Sequence, residues 1–137
     1  MSNEMLEKDF KEIINEIKLA IQNTQVKIMS KANQELLNLY FNVGKYISEN
    51  ASWGDKFLEN LGIEIRLDFP NIKGFSVRNL RDMKKFYEEY KDDLIWQPIV
   101  AKLPWRHNMI LISKVKDKNI RKWYFDQPSQ AYLHFQE

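Results

Sequence analysis

The side chains with the clearest recognition chemistry lie in one short stretch, residues 73–85. Arginine pairs with guanine edges and asparagine with adenine edges in the DNA major groove, and the first amides of a helix favour phosphate. The residues of this stretch that we predict at a DNA interface are Lys73, Ser76, Arg78, Asn79, Arg81 and Lys85. The alternative is an ordinary solvated helix face, on which Asp82, Glu88 and Glu89 balance the basic charges.

A second group of basic residues falls in residues 102–122. This stretch carries seven basic residues and one acid, a net +6 in a chain whose total is +2. Trp105 and Trp123 flank its charges, and a basic surface with aromatics suits the phosphate backbone, although it equally suits an acidic protein. The members that we predict to contact phosphate are Arg106, His107, Lys114, Lys118 and Lys122.

Residue patterns for catalysis are not found. The two histidines, His107 and His134, have no metal-ligand spacing to carboxylates, and there is no cysteine. Neither a glycine-rich phosphate loop nor a nucleophile elbow occurs. We therefore predict a protein that is not an enzyme, with no catalytic residue, no metal ligand and no cofactor.

The elements that must position these residues are predicted to be helices. Apolar residues recur every three or four positions over residues 5–49, so a long N-terminal helix either breaks between Ile28 and Asn33 or pairs with another chain. We favour pairing, which implies a homodimer. A second helix, capped by Asp55, ends at Pro70, and a turn around Gly74 leads to a third helix capped by Ser76.

This order of helix, glycine turn and helix has the layout of a helix-turn-helix. The sequence thus predicts a mainly α fold, a helical bundle of winged-helix-like character, with at most a small hairpin near residues 94–103. The residues that we expect to share one core are Trp53, Phe57, Leu61, Phe75, Leu80, Met83 and Trp105.

Length and composition predict one domain, residues 1–127, followed by a tail, residues 128–137. Of the 137 residues, 44% are apolar and 29% charged, which is typical of a globular domain. No apolar run is long enough for a membrane span, and the charged start is unlike a signal peptide. We expect a cytoplasmic protein without membrane contact.

Several of these segments resemble one known family. The runs KGFS at residues 73–76, RNL at 78–80 and LPW at 103–105, with His107 and Asn108, are similar to the N-terminal domain of the bacterial YhcG family. The resemblance implies a predicted winged helix-turn-helix domain that usually precedes a PD-(D/E)xK nuclease domain. That nuclease domain is expected to be absent from this chain, so its catalytic carboxylates match no residue here and the nuclease would be a separate subunit.

Together, these observations predict a module that binds double-stranded DNA for a YhcG-type nuclease system and has no catalysis of its own. The alternative is a protein-interaction or dimerisation domain that assembles a nuclease complex.

Overall fold

The computed structural model describes residues 3–93 and 96–135, and these residues form helices and connecting turns with no strand. The helices are α1 (Asn3–Glu49), α2 (Gly54–Asp68), α3 (Val77–Tyr90), α4 (Trp96–Val100), α5 (Trp105–Lys114), α6 (Lys118–Asp126) and α7 (Pro128–Phe135), with a 3₁₀ turn at Ala51–Trp53. The mainly α fold with a long first helix is therefore confirmed.

The chain divides into two compact units, residues 1–32 and residues 33–137. The described part of the first unit is the N-terminal portion of α1, and the helix has no break between Ile28 and Asn33. Of the two sequence interpretations of this segment, the broken helix is wrong. Pairing with another chain stays a prediction.

The second unit has two clusters of buried side chains, and α3 contributes to both. The first cluster consists of Tyr40, Ile47, Leu58, Phe75, Leu80 and Met83. The second cluster consists of Leu37, Phe86, Tyr90, Trp96, Val100, Leu103, Leu111, Phe125 and Ala131. Because α3 packs its apolar face into both clusters, its position is fixed along its whole length and its opposite face is left to the solvent.

The predicted core agrees with the first cluster except at Trp53. Phe75, Leu80 and Met83 are buried in that cluster, and Phe57, Leu61 and Trp105 pack against it. Trp53, however, is 62% exposed, because it closes the 3₁₀ turn outside the cluster; its ring packs against the Phe57 ring, with 4.9 Å between centroids. Its assignment to the core was wrong.

Two segments that the sequence left irregular are helical. Within the stretch where a small hairpin was allowed, residues 96–100 form α4, while residues 94 and 95 lie outside the described residues. Residues 128–135, assigned to the tail, form α7, whose Ala131 is fully buried in the second cluster. The described residues therefore provide no β-hairpin that could act as a wing.

Two asparagines hold the connection between α4 and α5. The amide nitrogen of the fully buried Asn108 donates to the carbonyl oxygens of Val100 and Leu103 at 3.0 and 3.1 Å. The amide nitrogen of Asn33 donates to the carbonyl oxygens of Ala101 and Leu103 at 2.9 and 3.1 Å. Backbone acceptors that no helix satisfies are thereby paired, which fixes the residue at which α5 begins.

Candidate nucleic-acid interface

Helix α3 begins where the sequence predicted. The Ser76 hydroxyl accepts a hydrogen bond from the Asn79 backbone amide at 3.2 Å, as expected of an N-cap. Before it, Gly74 has φ = 93°, a conformation that side-chain-bearing residues rarely adopt. A Cβ atom at Gly74 would also collide with the Tyr40 hydroxyl. Two independent constraints therefore favour glycine at residue 74: its positive φ angle and the lack of space for a side chain.

The side chain of Asn79 joins three parts of this region. Its amide nitrogen donates to the Gly74 carbonyl oxygen at 2.6 Å, and its amide oxygen accepts from the Trp105 indole nitrogen at 2.8 Å. The Trp105 ring in turn packs edge-on against Tyr40 and Phe86, with centroids 4.8 and 5.1 Å away. Asn79 thus ties the start of α5 to the turn before α3. In this structure its amide is occupied by these bonds, whereas the sequence pattern predicts a contact with adenine.

An open groove of about 730 Å³ lies along α3 and α5. Its basic lining comes from Arg78, Arg81 and Lys85 on α3 and from Arg106 and Lys114 on α5, with Asp82 as its acid. Other lining residues are Gly74, Ser76, Asn79, Trp105, Met109, Ile110 and Ser113. We call this feature the α3–α5 groove.

Helical periodicity explains why basic residues from two helices converge there. Arg78, Arg81 and Lys85 stand at intervals of three and four residues on α3, so they share one face. The other face of α3 carries its buried residues, so the basic side chains point away from the core. Arg106 and Lys114 are eight residues apart, about two turns, and thus share a face of α5.

Arg81 in the groove has an acidic neighbour. The Arg81 guanidinium lies 2.9 Å from the Asp55 carboxylate, and both side chains are more than half exposed. A solvent-exposed ion pair of this kind contributes about 0–1 kcal/mol, so it leaves Arg81 able to exchange partners. Asp55 was predicted to cap α2; instead α2 begins at Gly54 with no side-chain cap, and Asp55 lies in its first turn.

Four predicted interface residues do not line the groove. Lys73 is exposed in the turn before α3, while Lys118 and Lys122 are exposed on α6. His107 is half-buried on α5, and its burial, together with the positive charge of Arg106, holds the pKa of its imidazole below the ordinary value of 6.5. The neutral form therefore prevails near pH 7, which weakens the electrostatic reason for placing His107 on a phosphate.

The basic stretch 102–122 is divided by its own packing. Arg121 is 2% exposed, its guanidinium pairs with the Glu89 carboxylate, and it donates to the carbonyl oxygen of Val115. Lys102 pairs with Asp126 at 3.1 Å. The seven basic residues of the stretch therefore do not share one surface. Two line the groove, two are exposed on α6, Arg121 is buried, Lys102 pairs with Asp126, and Lys116 is exposed between α5 and α6.

Sequence reasoning missed the apolar floor of the groove and the partner of Arg81. Met109 and Ile110 are half-buried and line the groove. The apolar run at residues 109–112 contained a signal for this, since four consecutive apolar residues cover more of the helix circumference than a single core-facing stripe does. Asp55 and Arg81 are 26 residues apart, and no local pattern links them.

Within residues 3–93 and 96–135, no group of three or more histidine, aspartate or glutamate side chains is arranged to hold a metal ion. No helix among the same residues combines the length and the apolar character needed to cross a bilayer.

These features define an all-helical domain with a basic groove between two of its helices. The chain belongs to the DUF1016 family, since residues 16–134 match the DUF1016 N-terminal domain. This is the family that the motifs around Ser76 and Trp105 resemble, because the YhcG family is the DUF1016 family. No curated protein and no solved structure matches the chain significantly.

Proposed function

We propose that this domain binds double-stranded DNA through the α3–α5 groove and thereby directs a nuclease of its family to DNA. The observation that carries the proposal is the convergence of five basic side chains from two helices on one open surface with a single acid among them. Phosphate contacts supply most of the sequence-independent affinity of DNA-binding proteins. The composition of this surface therefore favours contact with a phosphate backbone over the alternative of an ordinary solvated helix face.

The two walls of the groove are suited to different contacts. Arg78 lies in the first turn of α3, the part of a recognition helix that approaches base edges, and its guanidinium has the fork that pairs with guanine. Arg106 and Lys114 on α5 would contact the DNA phosphate backbone beside the base that Arg78 contacts. Asn79 acts indirectly, because its hydrogen bonds to Gly74 and Trp105 hold the two walls together.

The salt dependence of duplex binding tests this proposal quantitatively. If four or five of the groove cations each neutralise one phosphate, the logarithm of the affinity falls with the logarithm of salt concentration at a slope of about −3.6 to −4.5. Fluorescence anisotropy with a mixed-sequence duplex at several salt concentrations measures this slope. The R78A/K114A variant removes one cation from each wall and should make the slope shallower by about two units.

The matched control is K118A/K122A, which removes the same charge from α6, outside the groove lining. We expect it to retain more of the slope than R78A/K114A. Equal losses in the two variants would show that net charge, and not the groove, governs binding. No binding of the unmodified protein at low salt would refute the proposal and leave the α3–α5 groove to an acidic protein surface, the second candidate function.

We further propose that the domain has no nuclease activity of its own, since phosphodiester cleavage by such enzymes uses clustered acids and divalent metal. Incubation of supercoiled DNA with the purified domain and Mg²⁺ or Mn²⁺ should give no nicking. Nicking that disappears on a single aspartate or glutamate substitution would contradict this.

A further inference from the structure

The N-terminal unit presents a stripe of apolar side chains that nothing within residues 9–32 covers. Phe10, Ile13, Ile17, Ile21 and Ile28 are each more than half exposed. At about 100° per residue they lie within about 60° of Ile17 around the helix, on the same side as Ile14, Ala20 and Thr24. We call this surface the α1 stripe.

An uncovered α1 stripe is unfavourable for a lone helix in water. In proteins, packing of an apolar face supplies most of the stability of a helix. Soluble monomers also rarely expose a contiguous apolar patch larger than about 300–600 Å². At roughly 100 Å² per exposed side chain, two such stripes packed together would bury on the order of 1,000–1,400 Å², the size at which specific interfaces begin.

The charges beside the α1 stripe indicate what covers it. Residues 9–28 contain three acids and three lysines, so their net charge is zero and self-association meets no overall repulsion. Lys11 and Lys18 lie along one edge of the stripe, and Asp9 and Glu16 lie along the other. Lys27, at the C-terminal end, is the exception on the acidic edge.

This arrangement distinguishes between the two directions in which helices can pair. In a parallel pair, the two-fold axis runs along the helices and places the left edge of one helix beside the right edge of the other, so acids meet lysines. In an antiparallel pair that sets residue 10 beside residue 28, each edge meets its own copy, so Lys18 meets Lys18 and only Asp9 and Lys27 attract, whereas the parallel pair matches both Asp9 and Glu16 with lysines. Glu16 and Lys18 differ by two residues, about 3 Å of rise, and long side chains span that offset.

We infer that the α1 stripe is covered by the same stripe of a second copy of this chain, as a parallel two-helix pair. Measurement of mass by light scattering or sedimentation, over a hundredfold range of concentration, should give a concentration-dependent approach to twice 16.5 kDa. The I17E variant places a charge at the centre of the stripe and should remain monomeric. The control L19E adds the same charge at an exposed residue on the far side of the helix and should still dimerise.

The integrity of each variant can be followed independently, because all four tryptophans lie outside residues 1–32. Unchanged tryptophan fluorescence and an unchanged tryptophan-monitored unfolding transition would show that I17E leaves residues 33–137 folded. A wild-type protein that is monomeric at every concentration, or an L19E variant that loses the dimer as I17E does, would overturn the proposal and leave the stripe to a different protein.

Cross-linking tests the direction, since the chain has no cysteine of its own. In a parallel pair, F10C should form a disulfide-linked dimer by itself, and I28C should do the same. In an antiparallel pair, neither variant cross-links with itself, and cross-linked dimer appears only when the two are mixed. The second pattern would refute the parallel arrangement even if the dimer itself were found.

Discussion

Gly44 allows α1 and α3 to pack closely against each other. Its replacement by alanine tests whether the two helices can move apart without loss of stability. A Cβ atom built at Gly44 would collide with the carbonyl oxygen of Met83, and would lie 2.6 Å from its carbonyl carbon and 3.0 Å from the Tyr87 Cβ. Ordinary contact begins near 3.4 Å, so the contact with the carbonyl carbon alone would require the backbone of α3 to move by about 0.8 Å, and the contact with the carbonyl oxygen would require more. Leu80 and Met83 are completely buried and resist that movement.

Two opposing effects determine how much Gly44→Ala changes the free energy of unfolding. Alanine improves the helix propensity of α1 by about 1 kcal/mol, whereas overpacking against backbone costs about 2–3 kcal/mol when neighbours cannot rotate away. We expect a net loss of about 1–2 kcal/mol in the free energy of unfolding, which lowers Tm by roughly 4–8 °C for a chain of this size.

Thermal unfolding followed by circular dichroism measures this change. The control is Asn42→Ala, at an exposed position of the same helix, where only the propensity gain operates and Tm should stay unchanged or rise slightly. A Gly44→Ala protein that is as stable as the wild type, or more stable, would refute the reasoning, because it would mean that the α1–α3 contact yields without cost.

Two further predictions concern residues of the basic stretch. Arg121→Ala leaves the half-buried Glu89 carboxylate without its cation and should reduce the free energy of unfolding by about 3 kcal/mol. The control Lys122→Ala, on the exposed side of the same helix, should change the free energy of unfolding by less than about 0.5 kcal/mol. Urea titration measures both changes. The pKa of His107 is lower in the folded state than its ordinary value, so the unfolded chain binds more protons and the free energy of unfolding falls as pH drops below about 6.5. In His107→Gln, this part of the pH dependence of Tm should disappear. An unchanged pH profile of Tm would contradict the lowered pKa.

Local features were well determined by the sequence, because their causes act over a few residues. The Ser76 cap, the positive φ at Gly74 and the amphipathic α3 each follow from side-chain chemistry within one or two helical turns. The periodic apolar residues of α1 likewise predicted a long helix, although they left open a break between Ile28 and Asn33, which the structure does not show. The basic residues of the groove were identified by type, since Arg78 and Lys114 stand in stretches of evident positive charge.

Only the tertiary structure decided which of those charges act together. Arg121 and Lys122 are neighbours in sequence, yet one is buried against Glu89 and the other is exposed, because the packing of α6 turns the first inward. Asn79 and Trp105 are 26 residues apart, and their hydrogen bond, which joins the walls of the groove, depends on where α5 begins. The charge density along the sequence depends on composition alone. A binding surface also depends on the directions of the helices, which long-range packing fixes.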